Sequence, residues 1–115
     1  MSSADTPRMA NVQWQDKTAL VTVTGEIDLA RSTIFQQELL ELLDNRPACI
    51  VIDLAGVPHM DSSGIASLVK LLSRCRKGDV SLRLACLTPR VQGLFEITRL
   101  DSVFDIYPSV PEATA

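Results

Sequence analysis

The chain has 115 residues, 46% of them hydrophobic and 22% charged, which is typical of a single compact domain and excludes extensive disorder. Eleven basic and fourteen acidic residues give a net charge of −3, so the chain offers no positive surface for a nucleic acid. No apolar run approaches the roughly 18 residues that span a bilayer, and the polar start lacks the basic-then-apolar order of a signal peptide. We therefore expect a cytoplasmic protein without a nucleic acid or membrane partner.

Small, polar and proline residues dominate both ends of the chain. Residues 1–10 include Pro7, and residues 108–115 include Pro108 and Pro111. Such segments are seldom held tightly to a domain. The sequence therefore predicts flexible tails at 1–10 and 108–115, with one folded domain at 11–107.

The first half of the domain contains two strand patterns and one helix pattern. A short strand is possible near Val12 to Trp14, and the β-branched run from Ala19 to Thr24 predicts a stronger one. From Ser32 onward, apolar residues recur on one helix face until Pro47 ends the pattern. The residues of that face are Phe35, Leu39, Leu42 and Leu43.

The second half repeats the alternation of strand and helix. The nearly continuous apolar run from Ala48 to Leu54 predicts a central strand that is covered on both faces. A second helix follows and ends near Gly78, and its predicted buried stripe consists of Ile65, Leu68, Val69, Leu72 and Cys75. Another strand is predicted from Val80 to Leu84, and a weaker one from Val103 to Ile106. Between them, Thr88 and Pro89 are predicted as the N-cap and first residue of a third helix.

Strands that alternate with helices of this length indicate an α/β domain with right-handed crossovers between parallel strands. The order of elements leaves open which helices share a face of the sheet.

The segment Asp61-Ser62-Ser63-Gly64 stands at the junction between the central strand and the second helix. Backbone N–H groups at a helix start are unpaired and the helix dipole is positive there, so hydroxyls and anions are stabilised. Asp61 and Ser62 are both favoured N-cap residues, and Gly64 allows close approach of the backbone. The segment can therefore be a simple cap or a site of serine modification.

The sequence gives little support for a catalytic role of this segment. The single histidine, His59, is too close in sequence to Asp61 and Ser62 to form a Ser-His-Asp triad, and the pattern G-x-S-x-G is missing. Neither nucleotide-binding glycine motif occurs. The acids Glu26, Asp28, Asp53 and Asp61 can meet at one rim of the sheet, where solvated loop acids are the simpler interpretation.

The sequence gives equally little support for a metal site or a disulfide. Cys49, Cys75 and Cys86 are odd in number and have no close pair, so we expect reduced, buried thiols. The sequence thus predicts no catalytic residue, no metal site and no cofactor, and we do not expect an enzyme.

Three separated blocks resemble the anti-sigma-factor antagonists of the STAS domain family. They are Gly25-Glu26-Ile27-Asp28, Met60-Asp61-Ser62-Ser63-Gly64-Ile65 and Leu94-Phe95-Glu96-Ile97-Thr98. The resemblance spans about residues 12 to 107. It implies a mixed, mostly parallel sheet of four or five strands with helices packed largely on one face.

The resemblance also implies a function. In that family an ATP-binding serine-protein kinase, which also holds a sigma factor, phosphorylates the serine directly after the aspartate, here Ser62. Asp61 matches the acid before that serine, and Asp28 matches an acid in a loop that meets the kinase. Ser63 is a neighbouring hydroxyl rather than the preferred acceptor.

The hypothesis that follows is a binding switch. The unmodified protein would bind the kinase and release the sigma factor, so that the sigma factor is only an indirect partner; phosphorylation of Ser62 would end the binding, and a serine phosphatase would restore it. The partner surface is expected to include Glu26, Asp28, Asp61, Ser63, Gly64 and Ile65. The alternative is an accessory or scaffold subunit, for example of a lipid-transport complex, that binds a partner without a phosphorylation cycle.

Overall fold

The computed structural model describes residues 9–115, and these form one mixed sheet with helices. The strands are β1 (Ala10–Gln15), β2 (Thr18–Thr24), β3 (Cys49–Gly56), β4 (Ser81–Ala85) and β5 (Asp105–Tyr107). The helices are α1 (Leu29–Glu41), α2 (Ser62–Lys77), α3 (Pro89–Ile97) and α4 (Val110–Thr114), and short 3-10 turns cover Leu42–Asn45 and Leu100–Ser102.

The strands lie in the sheet in the order in which they occur in the chain, β1-β2-β3-β4-β5. Strands β1 and β2 pair antiparallel, whereas the other neighbouring pairs are parallel. Because the order advances in one direction, right-handed crossovers place α1, α2 and α3 on the same face. The predicted fold class, a mostly parallel sheet with helices largely on one face, is confirmed.

The main core lies between this face and the three crossover helices. Val21, Ile52 and Leu84, one from each of three neighbouring strands, are fully buried against Phe35 of α1 and Phe95 of α3. β3 is central, as predicted. Successive side chains of a strand point to opposite faces of the sheet. In β3, Ile52 on the helix face and Val51 on the other face are both inaccessible to solvent.

The opposite face of the sheet is covered over β3, β4 and β5 by α4, where the sequence predicts a flexible tail at 108–115. Ala113 is buried against this face, and the Arg83 guanidinium donates a hydrogen bond to its carbonyl oxygen over 2.8 Å. The prediction counted Pro111 among the residues typical of a loosely held tail. In the structure Ser109 caps the helix, and the proline occupies its first turn, where no backbone N–H is needed.

The start of the domain also differs from the prediction. The predicted tail at 1–10 lies outside the described residues up to residue 8, but Met9 is buried and Ala10 begins β1. Both of their backbone N–H groups donate to the carboxylate of Glu38 on α1, at 3.3 and 2.9 Å. A contact between residues so far apart in the chain has no signal in the local sequence.

Two details of the helices correct the sequence analysis. α1 begins at Leu29 rather than near Ser32, because Asp28 caps it. On α2, Val69 is 42% exposed and Leu71 is fully buried, so the predicted stripe was wrong at that position. The helix is apolar over a wide arc, and periodicity alone does not choose which edge of the arc faces the sheet. Within residues 9–115, no helix has the length and apolar character needed to cross a membrane.

Candidate functional site

A single pair of residues joins the loops that follow β2 and β3 at the carboxyl edge of the parallel strands. Ile27 and Met60 form an isolated parallel bridge. The Ile27 N–H donates to the carbonyl oxygen of His59, and the Asp61 N–H donates to the carbonyl oxygen of Ile27, both over 3.1 Å. The side chains of Ile27 and Met60 are buried. The bridge therefore fixes the two loops to each other and to the core.

Each bridge residue is followed by an aspartate that caps a helix. The Asp28 carboxylate accepts a hydrogen bond from the Arg31 N–H over 3.0 Å at the start of α1. The Asp61 carboxylate accepts one from the Ser63 N–H over 2.9 Å at the start of α2. The N-cap reading of Asp61 is confirmed, whereas the capping role of Asp28 was not predicted. The bridge thus sets two helix starts and two acids side by side.

The Asp61 carboxylate has more donors than a cap requires. The Ser63 hydroxyl also donates to its Oδ1 atom. This hydrogen bond lowers the pKa of Asp61 below its ordinary value of 3.8, and the nearby backbone N–H groups of Ser63, Gly64 and Leu29 act in the same direction. Leu29 is the first residue of α1. The ionised Asp61 carboxylate therefore caps α2 and lies close to the first backbone N–H group of α1.

Ser62 and Ser63 differ in how their hydroxyls are held. Ser62, the first residue of α2, is exposed, and its hydroxyl has no hydrogen-bond partner among residues 9–115. Ser63 is half-buried, and its hydroxyl is bonded to Asp61. The cap is therefore Asp61 and not Ser62, which leaves the Ser62 hydroxyl available to react or to bind.

Gly64 is a packing requirement of this turn. A Cβ atom at this position would lie 2.5 Å from Cγ of Met60 and 2.8 Å from Cγ2 of Ile27. Both atoms belong to buried side chains, so neither can move away freely. Gly64 thus lets α2 begin directly against the bridge.

The remaining predicted site residues lie around this edge. Glu26 is exposed and follows Gly25, which has a φ of +99° and turns the chain out of β2. Ile65 is half-buried and packs against the core. Two exposed apolar residues were missed by sequence reasoning, namely Leu29 at the start of α1, which is 77% exposed, and Val69 of α2. Leu29 can be recognised as a surface residue only when the start of α1 is known, because its exposure depends on its place directly after the Asp28 cap.

The structure assembles no catalytic triad here. The carbonyl oxygen of His59 accepts the bridge hydrogen bond from Ile27, and within residues 9–115 its imidazole has no hydrogen bond to Asp61 or Ser62. No group of three His, Cys, Asp or Glu side chains that suits a metal ion occurs in the described part of the chain.

The three thiols are unpaired. Cys75 is buried, and desolvation raises its pKa to about 11. Cys49 and Cys86 are only half-buried, contrary to the prediction of buried thiols. Desolvation raises the pKa of these two as well, so all three are protonated near neutral pH.

Thr88 also departs from its expected role. It occupies the N-cap position of α3, but its side chain makes no capping hydrogen bond. Its hydroxyl instead donates over 3.1 Å to the carbonyl oxygen of Val57, in the loop that leads to the bridge. α3 is therefore tied to the candidate site by a contact between residues 31 positions apart.

Comparison with known proteins places this geometry in context. A family model described as the STAS domain matches residues 9–113. The chain is 31% identical over 96 residues to the anti-sigma-B factor antagonist of Bacillus subtilis strain 168, covering 84% of this chain and 87% of the relative. An anti-sigma factor antagonist from Mycobacterium paratuberculosis has a similar crystal structure, with a TM-score of 0.84, 26% identity and coverage of 91% and 89%.

A third likeness concerns the fold alone. The anti-sigma factor antagonist SpoIIAA in its unphosphorylated form superimposes with a TM-score of 0.78 at 16% identity, over 91% of this chain and 92% of that one.

The contact between Gly64 and the bridge predicts the effect of adding one methyl group. Gly64→Ala should lower the free energy of unfolding by about 1–3 kcal/mol, the usual cost of overpacking, in denaturant titrations followed by circular dichroism. Gly93→Ala is the matched control, because a Cβ placed on Gly93 in α3 would have no described atom within 4 Å apart from its chain neighbours and the backbone of its own helix. That change should be neutral or stabilise by up to about 1 kcal/mol. Equal stability of the two variants would contradict the packing role of Gly64.

The Ser63 hydroxyl predicts how Asp61 titrates. Because the pKa of Asp61 is lower in the folded state, its stabilising contribution is present above the pKa of the unfolded chain and is lost as the pH falls through the folded pKa. Ser63→Ala should raise the folded pKa towards its ordinary value, which carboxyl carbon NMR can follow. Ser73→Ala, at an exposed serine of the same helix, should leave it in place. An unchanged Asp61 titration in Ser63→Ala would refute this account.

Proposed function

The chain belongs to the STAS domain family, and from that membership we propose that it acts as an anti-sigma-factor antagonist switched by phosphorylation of Ser62. The unmodified protein binds an anti-sigma-factor serine kinase, which then releases its sigma factor. The same kinase phosphorylates Ser62 and ends the binding, and a serine phosphatase reverses the modification. The chain is in this scheme a substrate and a binding partner rather than an enzyme.

One observation carries the proposal, namely the free hydroxyl of Ser62 at the start of α2. Ser62 is exposed, while its neighbour's hydroxyl is engaged with Asp61. The hydroxyl stands on the first turn of a 16-residue helix that is capped independently of it. It can therefore accept a phosphoryl group without loss of a hydrogen bond that holds the fold.

The chemical effect of phosphorylation follows from charge. A phosphoserine adds about −1.5 to −2 charges and three acceptor oxygens. The positive end of the α2 dipole favours this group, whereas the ionised Asp61 next to it opposes it. Inside the domain these two effects partly offset each other. A partner that packs closely over Ser62 meets the bulk of the phosphate and has to desolvate its charge, so the contact is weakened.

The proposed partner surface surrounds Ser62 on both helix starts. It comprises the loop with Glu26 and Asp28, the turn from Asp61 to Gly64 that includes Ser63, and the exposed face of α2 together with the half-buried Ile65. Leu29 and Val69 add exposed apolar area to it. Apolar anchors inside a polar rim are the usual arrangement of a binding surface. The acids of the rim favour a partner with basic side chains at its edge.

The charge switch predicts opposite behaviour for two substitutions of Ser62. Ser62→Ala should fold normally, bind the anti-sigma-factor kinase and take up no phosphate, because it removes only an uncommitted hydroxyl. Ser62→Asp should bind at least about tenfold more weakly, which is about 1.4 kcal/mol. Isothermal titration calorimetry measures the affinities, and intact mass after incubation with kinase and Mg·ATP measures the phosphate.

The control for Ser62→Asp is Ser102→Asp, which places the same charge on an exposed serine in the turn before β5 and should not change the affinity. If Ser62→Asp binds as tightly as Ser62→Ala, the charge switch is wrong. If the wild-type protein binds its partner but never gains phosphate, the non-cycling accessory subunit is the better description.

Val69 and Val103 form a matched pair that tests the extent of the surface. The two valines are 42% and 41% exposed. Val69 lies on α2 beyond Ser62. The Val103 carbonyl oxygen accepts a hydrogen bond from Arg76, and Arg76 lies near the C-terminal end of α2, about 20 Å from Ser62 at 1.5 Å per residue. Val69→Asp should weaken kinase binding by about 1–3 kcal/mol, and Val103→Asp should not.

Both variants should unfold at similar denaturant concentrations, because each valine is already partly in water. Equal binding by Val69→Asp and Val103→Asp would remove the middle of α2 from the proposed surface.

A further inference from the structure

We propose that Asp61 selects the phosphate acceptor by holding the hydroxyl of Ser63, so that Ser62 is the serine that reacts. This inference rests on the proposed phosphorylation and adds to it a reason why one of two adjacent serines is used. It assigns Asp61 the part of a positioning residue, which acts on the reaction through Ser63.

The two serines are neighbours at the start of one helix, so selection must come from their local environments. The Ser63 hydroxyl donates to Oδ1 of Asp61, and the same oxygen accepts the Ser63 N–H. Both donors of Ser63 are thus committed to one carboxylate. Within residues 9–115 the Ser62 hydroxyl has no such commitment, and its side chain stands in solvent.

Phosphoryl transfer makes this difference matter. The serine Oγ atom forms a bond to the γ-phosphorus of Mg·ATP while the bond from that phosphorus to the β–γ bridging oxygen breaks, which gives phosphoserine and ADP. The hydroxyl proton passes to a base of the kinase or to solvent. A hydroxyl that already donates to a carboxylate must first give up that hydrogen bond before it can turn towards the kinase.

The electrostatics of the product act in the same direction. A phosphate on Ser63 would take the place of the proton that now bridges Oγ and the Asp61 carboxylate, and would set two anionic groups in direct contact. The low pKa of Asp61 keeps that carboxylate charged near neutral pH. The net strength of a hydrogen bond to a charged group alone corresponds to a roughly tenfold to hundredfold preference for Ser62, and the repulsion between the two anionic groups increases that preference further.

The second serine is also anchored from the helix side. The carbonyl oxygen of Ser63 accepts a hydrogen bond from the Ser67 hydroxyl over 3.0 Å, and Ser67 is 2% exposed. Ser63 therefore begins the part of α2 that packs against α1, whereas Ser62 projects from its outer side. Because this hydrogen bond holds the backbone of Ser63 in α2, only the side chain of Ser63 can turn towards a kinase.

The test is phosphosite mapping on variants of Asp61 with the serine kinase that modifies the wild-type protein and Mg·ATP. Asp61→Gly removes the acceptor of the Ser63 hydroxyl but retains a residue that serves well at an N-cap. Asp61→Asn retains both the cap and an acceptor oxygen. We expect phosphate only on Ser62 in the wild type, on both serines in Asp61→Gly, and a smaller Ser63 fraction in Asp61→Asn than in Asp61→Gly.

A double variant allows phosphorylation of Ser63 to be measured by intact mass. Ser62→Ala alone should gain no phosphate, whereas Ser62→Ala combined with Asp61→Gly should gain one on Ser63. Thermal unfolding followed by circular dichroism confirms that each variant is folded before it is assayed.

The outcomes separate this inference from the proposed function. Selection by Asp61 would be overturned by phosphate confined to Ser62 in Asp61→Gly, or by loss of all phosphorylation in that variant. It would also be overturned by phosphate on Ser63 in the wild type or in Ser62→Ala. Equal Ser63 fractions in Asp61→Asn and Asp61→Gly would also overturn it. The Ser62 switch would then be judged by its own test. A wild-type protein that accepts phosphate on neither serine would overturn the proposed function, and the inference with it.

Discussion

The bridge between Ile27 and Met60 is the constraint on which the rest of the site depends. It consists of only two hydrogen bonds, but the side chains of Ile27 and Met60 are part of the core, which holds the two loops in register. Each loop leaves the bridge directly into a capped helix. The positions of Asp28, Asp61 and Ser62 relative to one another are therefore set by buried packing and not by contacts among these polar groups themselves.

The same packing explains the small residues around the helix starts. Gly64 is buried against both bridge residues, and the Ser67 hydroxyl lies within 3.4 Å of the carbonyl oxygen of Ser32 on α1. Ser32 and Ser67 are the buried polar side chains of the described residues. Small side chains allow α1 and α2 to approach closely, and their hydroxyls are satisfied locally by main-chain oxygens. Two helix dipoles are in this way brought to one small area of surface.

Much of this arrangement could be predicted from local sequence, and the exceptions have a common cause. The N-cap at Asp61 and the central strand β3 follow from residue type and periodicity. Strand ends also allowed Asp28 and Asp61 to meet at one rim of the sheet, but the bridge that holds them there could not be predicted, because it pairs loops 33 residues apart. The exposure of Val69 and the docking of Ala113 on the sheet likewise depend on which surfaces are available after folding. Local patterns specify elements, whereas tertiary packing decides which of their faces are buried.

The sequential order of the strands has a consequence for how the chain reaches this structure. The parallel partners of Ile52 are Val21 and Leu84, and Leu84 pairs in turn with Ile106, so each pairing closes a loop of roughly 20–30 residues. Loop-closure entropy grows slowly over this range. Every βαβ unit can therefore form from one continuous piece of chain without waiting for a distant terminus. Such a topology keeps contact order moderate for a mostly parallel sheet and favours folding that spreads from β3 outward.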